Sequence, residues 1–414
     1  MWTKLSCLFV CIAIINSTPT KSYKQNAAVK LLQEYLRIDT SKEENIELAV
    51  DFWKRQAESL GLPYKIYIPT TKPIVVITWE GTDPTLPSIM LNSHMDVVPV
   101  DESVWKYPPF DAHIDEEGDI YARGAQDTKD IAIQYLEAVR ALKQNNVTLA
   151  RTLHITLMPD EETGGNGMKL FVQSDEFKAL NIGFALDEGL SSSNGALFVT
   201  YQDRRPWQMI FHVNGEAGHG SSMPDDTAME KTQNFINVVM KYRSEQKEIM
   251  TSNEPTDYGL YTSVNINGLE GGLATNIIPN DIKIVVDMRL SSSAEIEDVE
   301  KMVHSWMENA GTGITLEYVQ QENVSLATSV DDTNTYWTTL RDAALDMGII
   351  IKPIVCPAKS DMLYIRNVGI PAFGFTPRSY TTNRIHAENE YTNAETFLNG
   401  IQVYRKLLLK LGNL

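Results

Sequence analysis

Three neighbouring carboxylates raise the first chemical question in this sequence. The stretch MPDEETGG, residues 158–165, places Asp160, Glu161 and Glu162 in a row before two glycines. Like charges this close together are costly unless a positive charge lies among them. Two explanations are open at this point: a solvated acidic turn, which is the usual role of a charge run, or a metal site.

Other residues with metal-binding chemistry occur elsewhere in the chain. His94 and Asp96, in SIMLNSHMD, are two residues apart in an extended segment, so their side chains share a face. A metal-bound imidazole usually donates its second N–H to a carboxylate, which such a pair would allow. Asp127 directly precedes a helical pattern, where it is either an N-cap or a carboxylate that bridges two ions. Asp187 ends an apolar run in GFALDEG, and His386 lies in the polar stretch NRIHAENEY.

The elements that would position these residues alternate between strand and helix. Apolar runs predict strands at residues 74–79, 89–92, 152–158 and 183–186, and helical periodicity predicts helices at 27–36, 45–60 and 128–143. This alternation is typical of an α/β sheet with helices on both faces, which binds ligands at the carboxyl ends of its strands. His94, the Glu161–Glu162 pair and Asp187 all follow candidate strands. This agreement favours a shared site over a solvated turn.

The two adjacent glutamates can share one site only if the chain turns. Glu161 and Glu162 would face opposite sides if the strand before them continued. Pro159 and the pair Gly164–Gly165 predict the required break. Together the candidates are two histidines and three carboxylates without a thiolate, a set that suits Zn²⁺ or a similar divalent ion. Two ions ~3.5 Å apart need one bridging carboxylate and two further ligands each.

The pattern changes near residue 198 and predicts a second domain. Between residues 198 and 319 the order is strand, helix, strand, strand, helix, strand, which fits an α+β sandwich, and the α/β pattern resumes after Asp331. We therefore expect a signal peptide at residues 1–22, a main domain at 23–197 and 321–414, and an inserted domain at 198–320.

Composition and charge restrict the class of partner and the compartment. The chain has 414 residues and a formal net charge of −18, which argues against nucleic acids and acidic membranes, because both are bound by Lys- and Arg-rich surfaces. An apolar run at residues 5–15 follows Lys4 and precedes small polar residues, as in a secretory signal, and is too short to span a bilayer comfortably. We expect a secreted protein without a stable membrane anchor; an uncleaved N-terminal anchor is the alternative.

Five stretches of the chain carry a family resemblance. They are LNSHMDVVPV, IYARGAQDTKDIAIQYLEAVRALK, MPDEETGG, GFALDEG and GLEGGLATNIIP. In order and spacing they resemble aminoacylases, the N-acyl-L-amino-acid amidohydrolases of the dizinc exopeptidase family that includes carboxypeptidase G. The resemblance extends from about residue 25 to the C-terminus. It implies a zinc-exopeptidase-like mixed sheet flanked by helices, with an inserted domain that serves as lid and dimerisation surface.

The resemblance implies two Zn²⁺ ions per subunit, with Co²⁺ or Mn²⁺ as candidate substitutes. Asp127 would bridge the ions. His94 and Asp187 would complete one site, and Glu162 and His386 would complete the other. A cis peptide bond after Asp127 is implied as well.

The resemblance also implies catalytic and substrate-binding residues. Glu161 would be the general base, and Asp96 would orient a histidine ligand. His219, in GHGS, would reach across a homodimer into the partner's site and stabilise the oxyanion. Asn276 and Arg289 would hold the substrate, with Arg289 pairing with its carboxylate.

The activity that follows is metal-dependent hydrolysis of the amide bond of N-acyl-L-amino acids, with fatty acids among the acyl groups considered. A dipeptidase or carboxypeptidase of the same family and a non-catalytic carrier of acyl-amino acids are the alternatives. The sequence departs most from the aminoacylase pattern in CPAKSDMLY and TPRSYTTNRIH, and the signal segment is a second departure.

Overall fold

The computed structural model of the protein describes residues 20–414, so the predicted signal segment lies outside the described residues except for its last three. The helices are α1 (Thr20–Gln25), α2 (Ala27–Leu36), α3 (Ile46–Leu60), α4 (Lys129–Gln144), α5 (Asn166–Phe171), α6 (Asp175–Ala179), α7 (Ala228–Thr251), α8 (Ile296–Ala310), α9 (Thr335–Asp346), α10 (Met362–Asn367) and α11 (Ala394–Leu411). None of these helices combines the length and the apolar content needed to cross a lipid bilayer.

The strands are β1 (Tyr64–Tyr67), β2 (Ile74–Trp79), β3 (Ser88–His94), β4 (His113–Ile114), β5 (Asp119–Tyr121), β6 (Leu153–Met158), β7 (Ile182–Asp187), β8 (Ala196–Asp203), β9 (Arg205–Asn214), β10 (Gly218–His219), β11 (Ser263–Gly271), β12 (Ile277–Ile278), β13 (Asp281–Leu290), β14 (Ile314–Gln321), β15 (Ile350–Cys356), β16 (Ala372–Phe375) and β17 (Tyr391–Asn393).

Eight of the strands form one mixed sheet in the order β1-β2-β6-β3-β7-β16-β8-β15. The four central strands, β6, β3, β7 and β16, are parallel, and they are flanked by the antiparallel β2 and β8. Every residue of β3 is buried, as expected for a strand that is covered on both faces. The predicted α/β class with a mixed sheet is confirmed.

Helices cover the two faces of this sheet and build its two cores. One core contains apolar residues of α2, α3, α4, α9 and α11. The other contains apolar residues of α5, α6 and α10. The helix predicted at residues 128–143 is α4. Ile131, Tyr135 and Val139 share an apolar face of this helix and are buried, and this packing fixes the helix that follows Asp127.

The inserted domain has a sheet and a core of its own. Its strands form an antiparallel sheet in the order β11-β13-β9-β14, and α7 and α8 pack against it over a core that includes Trp207, Phe235 and Trp306. Half-buried and buried residues alternate along β13, because only one face of the sheet is covered by helices. The observed order of these elements is the strand, helix, strand, strand, helix, strand order that the sequence predicted.

The predicted start of the inserted domain at residue 198 is corrected by the strand pairing. Residues 198–201 lie within β8, which pairs with β16 and β15 in the large sheet. The crossing to the second sheet follows Asp203, and β9 begins at Arg205. Two consecutive strands of similar composition join different sheets here, and their partners are distant in sequence, so periodicity alone does not separate them.

Candidate metal centre

Three parallel strands end at one edge of the large sheet and bring the candidate site together. β3 ends at His94, β6 at Met158 and β7 at Asp187, and β3 lies between the other two. His94 is in register with Met158, so the segments after these strands start side by side. Asp127 reaches the same edge from the turn before α4, and His386 reaches it from the loop between β16 and β17.

Asp127 lies between two histidines. Its Oδ1 is 3.0 Å from Nε2 of His94, and its Oδ2 is 3.0 Å from Nε2 of His386. Each carboxylate oxygen therefore faces a different imidazole, which is the arrangement expected of a carboxylate that bridges two ions. The peptide bond between Asp127 and Thr128 is cis, as the resemblance implied.

Two glutamates complete two groups of candidate ligands. Glu162 Oε2 is 3.0 Å from Nε2 of His386, and Glu188 Oε1 is 3.8 Å from Nε2 of His94. The groups are His94, Asp127 and Glu188, and Asp127, Glu162 and His386; in each group the ligand atoms lie within 4.8 Å of one another. Imidazole nitrogens and carboxylate oxygens without thiolates fit Zn²⁺ and similar divalent ions, so the donor set suits the metal that the sequence predicted.

Glu188 takes the place that the sequence assigned to Asp187. The side chain of Asp187 is buried inside the protein, where Oδ1 accepts a hydrogen bond of 3.2 Å from Asn92 Nδ2. The next residue, Glu188, points into the cavity beside His94. The last four residues of β7 are all buried, so the sequence gives no alternation that would indicate which of the two carboxylates faces the cavity. The candidate ligand is corrected from Asp187 to Glu188.

A turn held by Asp96 lets Glu161 and Glu162 face one cavity. Asp96 accepts hydrogen bonds from the backbone N–H of Glu161 (3.2 Å) and of Glu162 (3.1 Å). The backbone carbonyl of Asp96 lies 2.7 Å from Nδ1 of His94, closer than its carboxylate oxygen at 3.5 Å. Asp96 therefore positions His94 mainly through its backbone and the glutamates through its side chain. Asp160 caps the turn by accepting from the N–H of Gly167, which is a structural role.

Glu161 lies in the cavity without belonging to either ligand group. Burial raises the pKa of its carboxyl group, and the nearby ammonium of Lys359, 4.0 Å from Oε1, opposes this change. A raised pKa suits a general base that must hold a proton between two steps of a reaction.

The carboxylates around Asp127 strongly favour the binding of a positive charge. Hydrogen bonds to Asp127 and Glu162 raise the pKa of His386 to about 10. Burial raises the pKa of Glu162 to about 7. Since the same carboxylates that favour protons on the imidazoles also favour a metal cation, the electrostatics agree with the donor chemistry.

A second layer of buried residues, which the sequence reasoning missed, holds the two ligand loops together. The fully buried carboxylate of Glu390 accepts hydrogen bonds from the backbone N–H groups of Gly124 (3.1 Å), Gln126 (2.6 Å) and Asp127 (3.1 Å) and from Nη1 of Arg123 (2.7 Å). Nη2 of Arg123 donates to the backbone carbonyl of His386 (3.3 Å). The pair Arg123–Glu390 thus links the loop of Asp127 to the loop of His386. Its only sequence signal is the position of Glu390 four residues after a candidate ligand.

A cavity of about 820 Å³ lies beside the ligand groups and between the two domains. Glu161, Glu188 and His386 line it from turns and loops at the edge of the large sheet, and Gln208 and Arg289 line it from the inserted domain. The guanidinium of Arg289 is already paired with Asp287 of its own strand, through two contacts of 2.9 Å.

Two predicted site residues lie away from this cavity within the protomer. Gly218 and His219 form β10, which pairs with Ile277 and Ile278 of β12, directly after Asn276. His219 is exposed, and its Nδ1 is 2.7 Å from the hydroxyl oxygen of Ser221. Neither His219 nor Asn276 is among the described residues that line the cavity. The two therefore lie near each other within the protomer and apart from the candidate metal ligands.

A mixed α/β sheet with a carboxylate between two histidines at its carboxyl edge, next to an inserted α+β domain, suits a metal-dependent enzyme. The model of "Peptidase family M20/M25/M40" matches residues 90–410. The chain therefore belongs to this family.

The chain is similar to known proteins over almost its whole length. It is 41% identical to aminoacylase-1A of Rattus norvegicus over 392 residues, covering 94% of this chain and 96% of that protein. It is also 41% identical to aminoacylase-1 of Homo sapiens over 393 residues, with the same coverage of both chains. The fold is similar to that of the M20 family metallo-carboxypeptidase Sso-CP2 from Sulfolobus solfataricus, with a TM-score of 0.76 at 19% identity, covering 94% of this chain and 99% of that chain. The recognised resemblance to aminoacylases and the expected class of metallo-hydrolase are confirmed.

Proposed function

We propose that the protein hydrolyses the amide bond of N-acyl-L-amino acids in a metal-dependent reaction and releases a carboxylate and a free amino acid. The observation that carries this proposal is Asp127, whose two oxygens each face a histidine in a cavity that also contains Glu161. The identity with aminoacylases over 94% of the chain supports the substrate class.

We assign two Zn²⁺ ions to each subunit, with Co²⁺ or Mn²⁺ as substitutes. His94, Asp127 and Glu188 would hold one ion, and Asp127, Glu162 and His386 would hold the other. When bound, the ions supply Lewis acidity toward the amide carbonyl and lower the pKa of water.

The protein's own groups would position the substrate and move the proton. Glu161, which belongs to neither ligand group, takes the proton of the attacking water and passes it to the leaving amine. Arg289 would bind the substrate carboxylate through the part of its guanidinium that Asp287 does not occupy.

The first experiment is a hydrolysis panel of N-acetyl-L-methionine, a long-chain acyl-L-glutamine and a dipeptide, with and without EDTA. We expect amide hydrolysis of the acyl amino acids, loss of activity in EDTA and recovery with Zn²⁺. Activity on the dipeptide alone would favour a peptidase of the same family. A protein that retains no zinc and cleaves none of the substrates would favour a non-catalytic carrier.

We also propose a homodimer in which His219 of the partner subunit, with Asn276, completes the site. His219 is exposed and is not among the described residues that line the cavity of its own protomer, which supports this arrangement. Mixing two inactive variants, His219→Ala and Glu161→Gln, tests it after the subunits exchange. Recovery of up to about a quarter of wild-type activity is expected, since one site in the mixed dimer has both residues; no recovery in a dimer shown to have exchanged argues against it.

Secretion remains a proposal that rests on residues 1–22 of the sequence. Expression of the full chain in a eukaryotic cell should place the protein in the medium with a new N-terminus near residue 22. Retention of the intact N-terminus inside the cell would contradict it.

A further inference from the structure

Lys359 carries a buried ammonium group that has no role in the proposed mechanism. It lies in CPAKSDMLY, after β15, where the sequence departs from the aminoacylase pattern. Its side chain is only 6% exposed, and it lines the same cavity as Glu161. Within residues 20–414 its Nζ has no hydrogen-bond acceptor. A buried charge without a hydrogen-bonded partner is costly, so an anionic ligand group at this point would be strongly stabilised.

The position of the ammonium is fixed by its surroundings. Nζ lies 5.2 Å from the centre of the Tyr364 ring, a cation–π distance. The Tyr364 hydroxyl in turn donates to Glu322 (3.0 Å). A Cβ on Gly165 would lie 2.7 Å from Nζ, so the lack of a side chain at Gly165 leaves the space that the ammonium occupies. Lys359 is therefore held at the cavity wall and does not extend into solvent.

The other lysine and arginine that line the cavity already have carboxylate partners. Arg289 pairs with Asp287 through two contacts of 2.9 Å, and Lys169 Nζ lies 3.0 Å from Glu322. In the part of the chain that the structure describes, Glu161 is the carboxylate that comes within 4.0 Å of Lys359 Nζ, and this distance is beyond hydrogen-bonding range. An incoming carboxylate would thus meet in Lys359 a cation whose three N–H donors are unused.

We propose that Lys359 binds the free α-carboxylate of the substrate, beside the scissile amide, and shares this task with Arg289. The inference rests on the proposed hydrolysis of N-acyl amino acids. One carbon atom separates that carboxylate from the scissile nitrogen, and Lys359 lies 4.0 Å from the base proposed to protonate this nitrogen. A substrate carboxylate can therefore reach Nζ while the amide faces Glu161, at the short distance of a charge-assisted hydrogen bond.

The test compares N-acetyl-L-methionine with N-acetyl-L-methioninamide, in which the carboxylate is replaced by a neutral group. Acetate release is measured for the wild type, Lys359→Met and Lys359→Arg. We expect Lys359→Met to lower kcat/KM for the acid on the order of 10²-fold and to change that for the amide less than about threefold, because the lost contact is a hydrogen bond between charged groups. Lys359→Arg should retain most of the selectivity for the acid. Lys178→Met is the matched control, since Lys178 is 66% exposed and pairs with Asp175 on the surface.

Two outcomes would overturn the proposal. An equal loss for both substrates with a shifted pH profile would mean that Lys359 acts through Glu161, and an unchanged ratio between the substrates would mean that it does not contact the carboxylate. If the wild type cleaves neither compound, the proposed function itself is wrong, and the wild-type measurement alone shows this. Calorimetry with N-hexyl-L-methionine and its carboxamide, which lack the amide bond to be cleaved, then still tests whether Lys359→Met or Lys359→Gln removes the preference for the carboxylate.

Discussion

Replacing Glu390 by glutamine tests whether the buried layer behind the ligands positions the metal centre. Glu390 accepts four hydrogen bonds, three from backbone N–H groups and one from Arg123, and none of its side chain is exposed. Glutamine has nearly the same shape, but it replaces one acceptor oxygen by an NH₂ group that would face N–H donors. It also leaves the guanidinium of Arg123, 4% exposed, without its counter-charge.

The expected cost follows from this geometry. Removing one partner of a buried ion pair costs roughly 3–5 kcal/mol, because the remaining charge stays buried and unpaired. This is a large part of a total stability of about 5–15 kcal/mol. Glu390 binds the backbone N–H of Asp127, and Arg123 binds the backbone carbonyl of His386. We therefore also expect weaker metal retention at the ligand group that contains Asp127 and His386.

The measurement is urea unfolding of metal-depleted protein, followed by zinc content after dialysis of reloaded protein. Metal-depleted protein separates the cost of the ion pair from the stabilisation that bound metal provides. Glu34→Gln is the matched control, because the pair Arg55–Glu34 has a contact of 2.9 Å but side chains that are 57% and 52% exposed. That control should change stability by less than about 1 kcal/mol. If Glu390→Gln behaves like Glu34→Gln and keeps its full zinc content, the reasoning about the buried layer is refuted.

Three further predictions concern single residues. Glu161→Gln should lower turnover on the order of 10²–10⁴-fold while metal content stays normal, since only the proton transfer is removed; near-normal turnover would exclude Glu161 as the base. Glu188→Gln should reduce the zinc content of the protein more than Asp187→Asn, because Glu188 lies beside His94; the reverse order would restore the assignment made from the sequence. Burial lowers the pKa of His154 to about 4 from an ordinary value of 6.5, so the unfolded chain binds the proton more readily between these values. The free energy of unfolding should therefore fall as pH drops from about 6.5 to 4 and be restored above that range. Urea unfolding at pH 4.5 and pH 7 should show that His154→Gln removes up to about 3 kcal/mol of this dependence. An identical dependence in the variant would show that another group causes it.

Residue types and local pattern identify most of the candidate residues of the centre. His94, Asp127, His386 and the Glu161–Glu162 pair are candidates because each carries a metal-binding side chain, and several follow the end of an apolar run. Which of them are ligands, and that Glu162 binds while Glu161 does not, is implied only by the resemblance to aminoacylases. The helix that supports Asp127 was also predictable, since its apolar stripe has the period of an α-helix. These are properties of short segments, so they can be read from the chain itself.

Choices between neighbours required the tertiary structure. Asp187 and Glu188 are both carboxylates at a strand end, and a strand that is buried on both faces loses the alternation that shows which side chain faces the cavity. Likewise, β8 and β9 follow each other directly, and only pairing with strands at least 67 residues away assigns them to different sheets.

The sequence by itself determined the class of chemistry, because ligand type and segment period are local. The tertiary structure decided which carboxylate faces the cavity, where the second domain begins, and what surrounds Glu390 and Lys359. The backbone groups that Glu390 binds come from residues 124–127, more than 260 positions before it in the chain. Lys359 and Glu161 are almost 200 positions apart. Such neighbours are set by the packing of whole elements, and no short segment contains the information that brings them together.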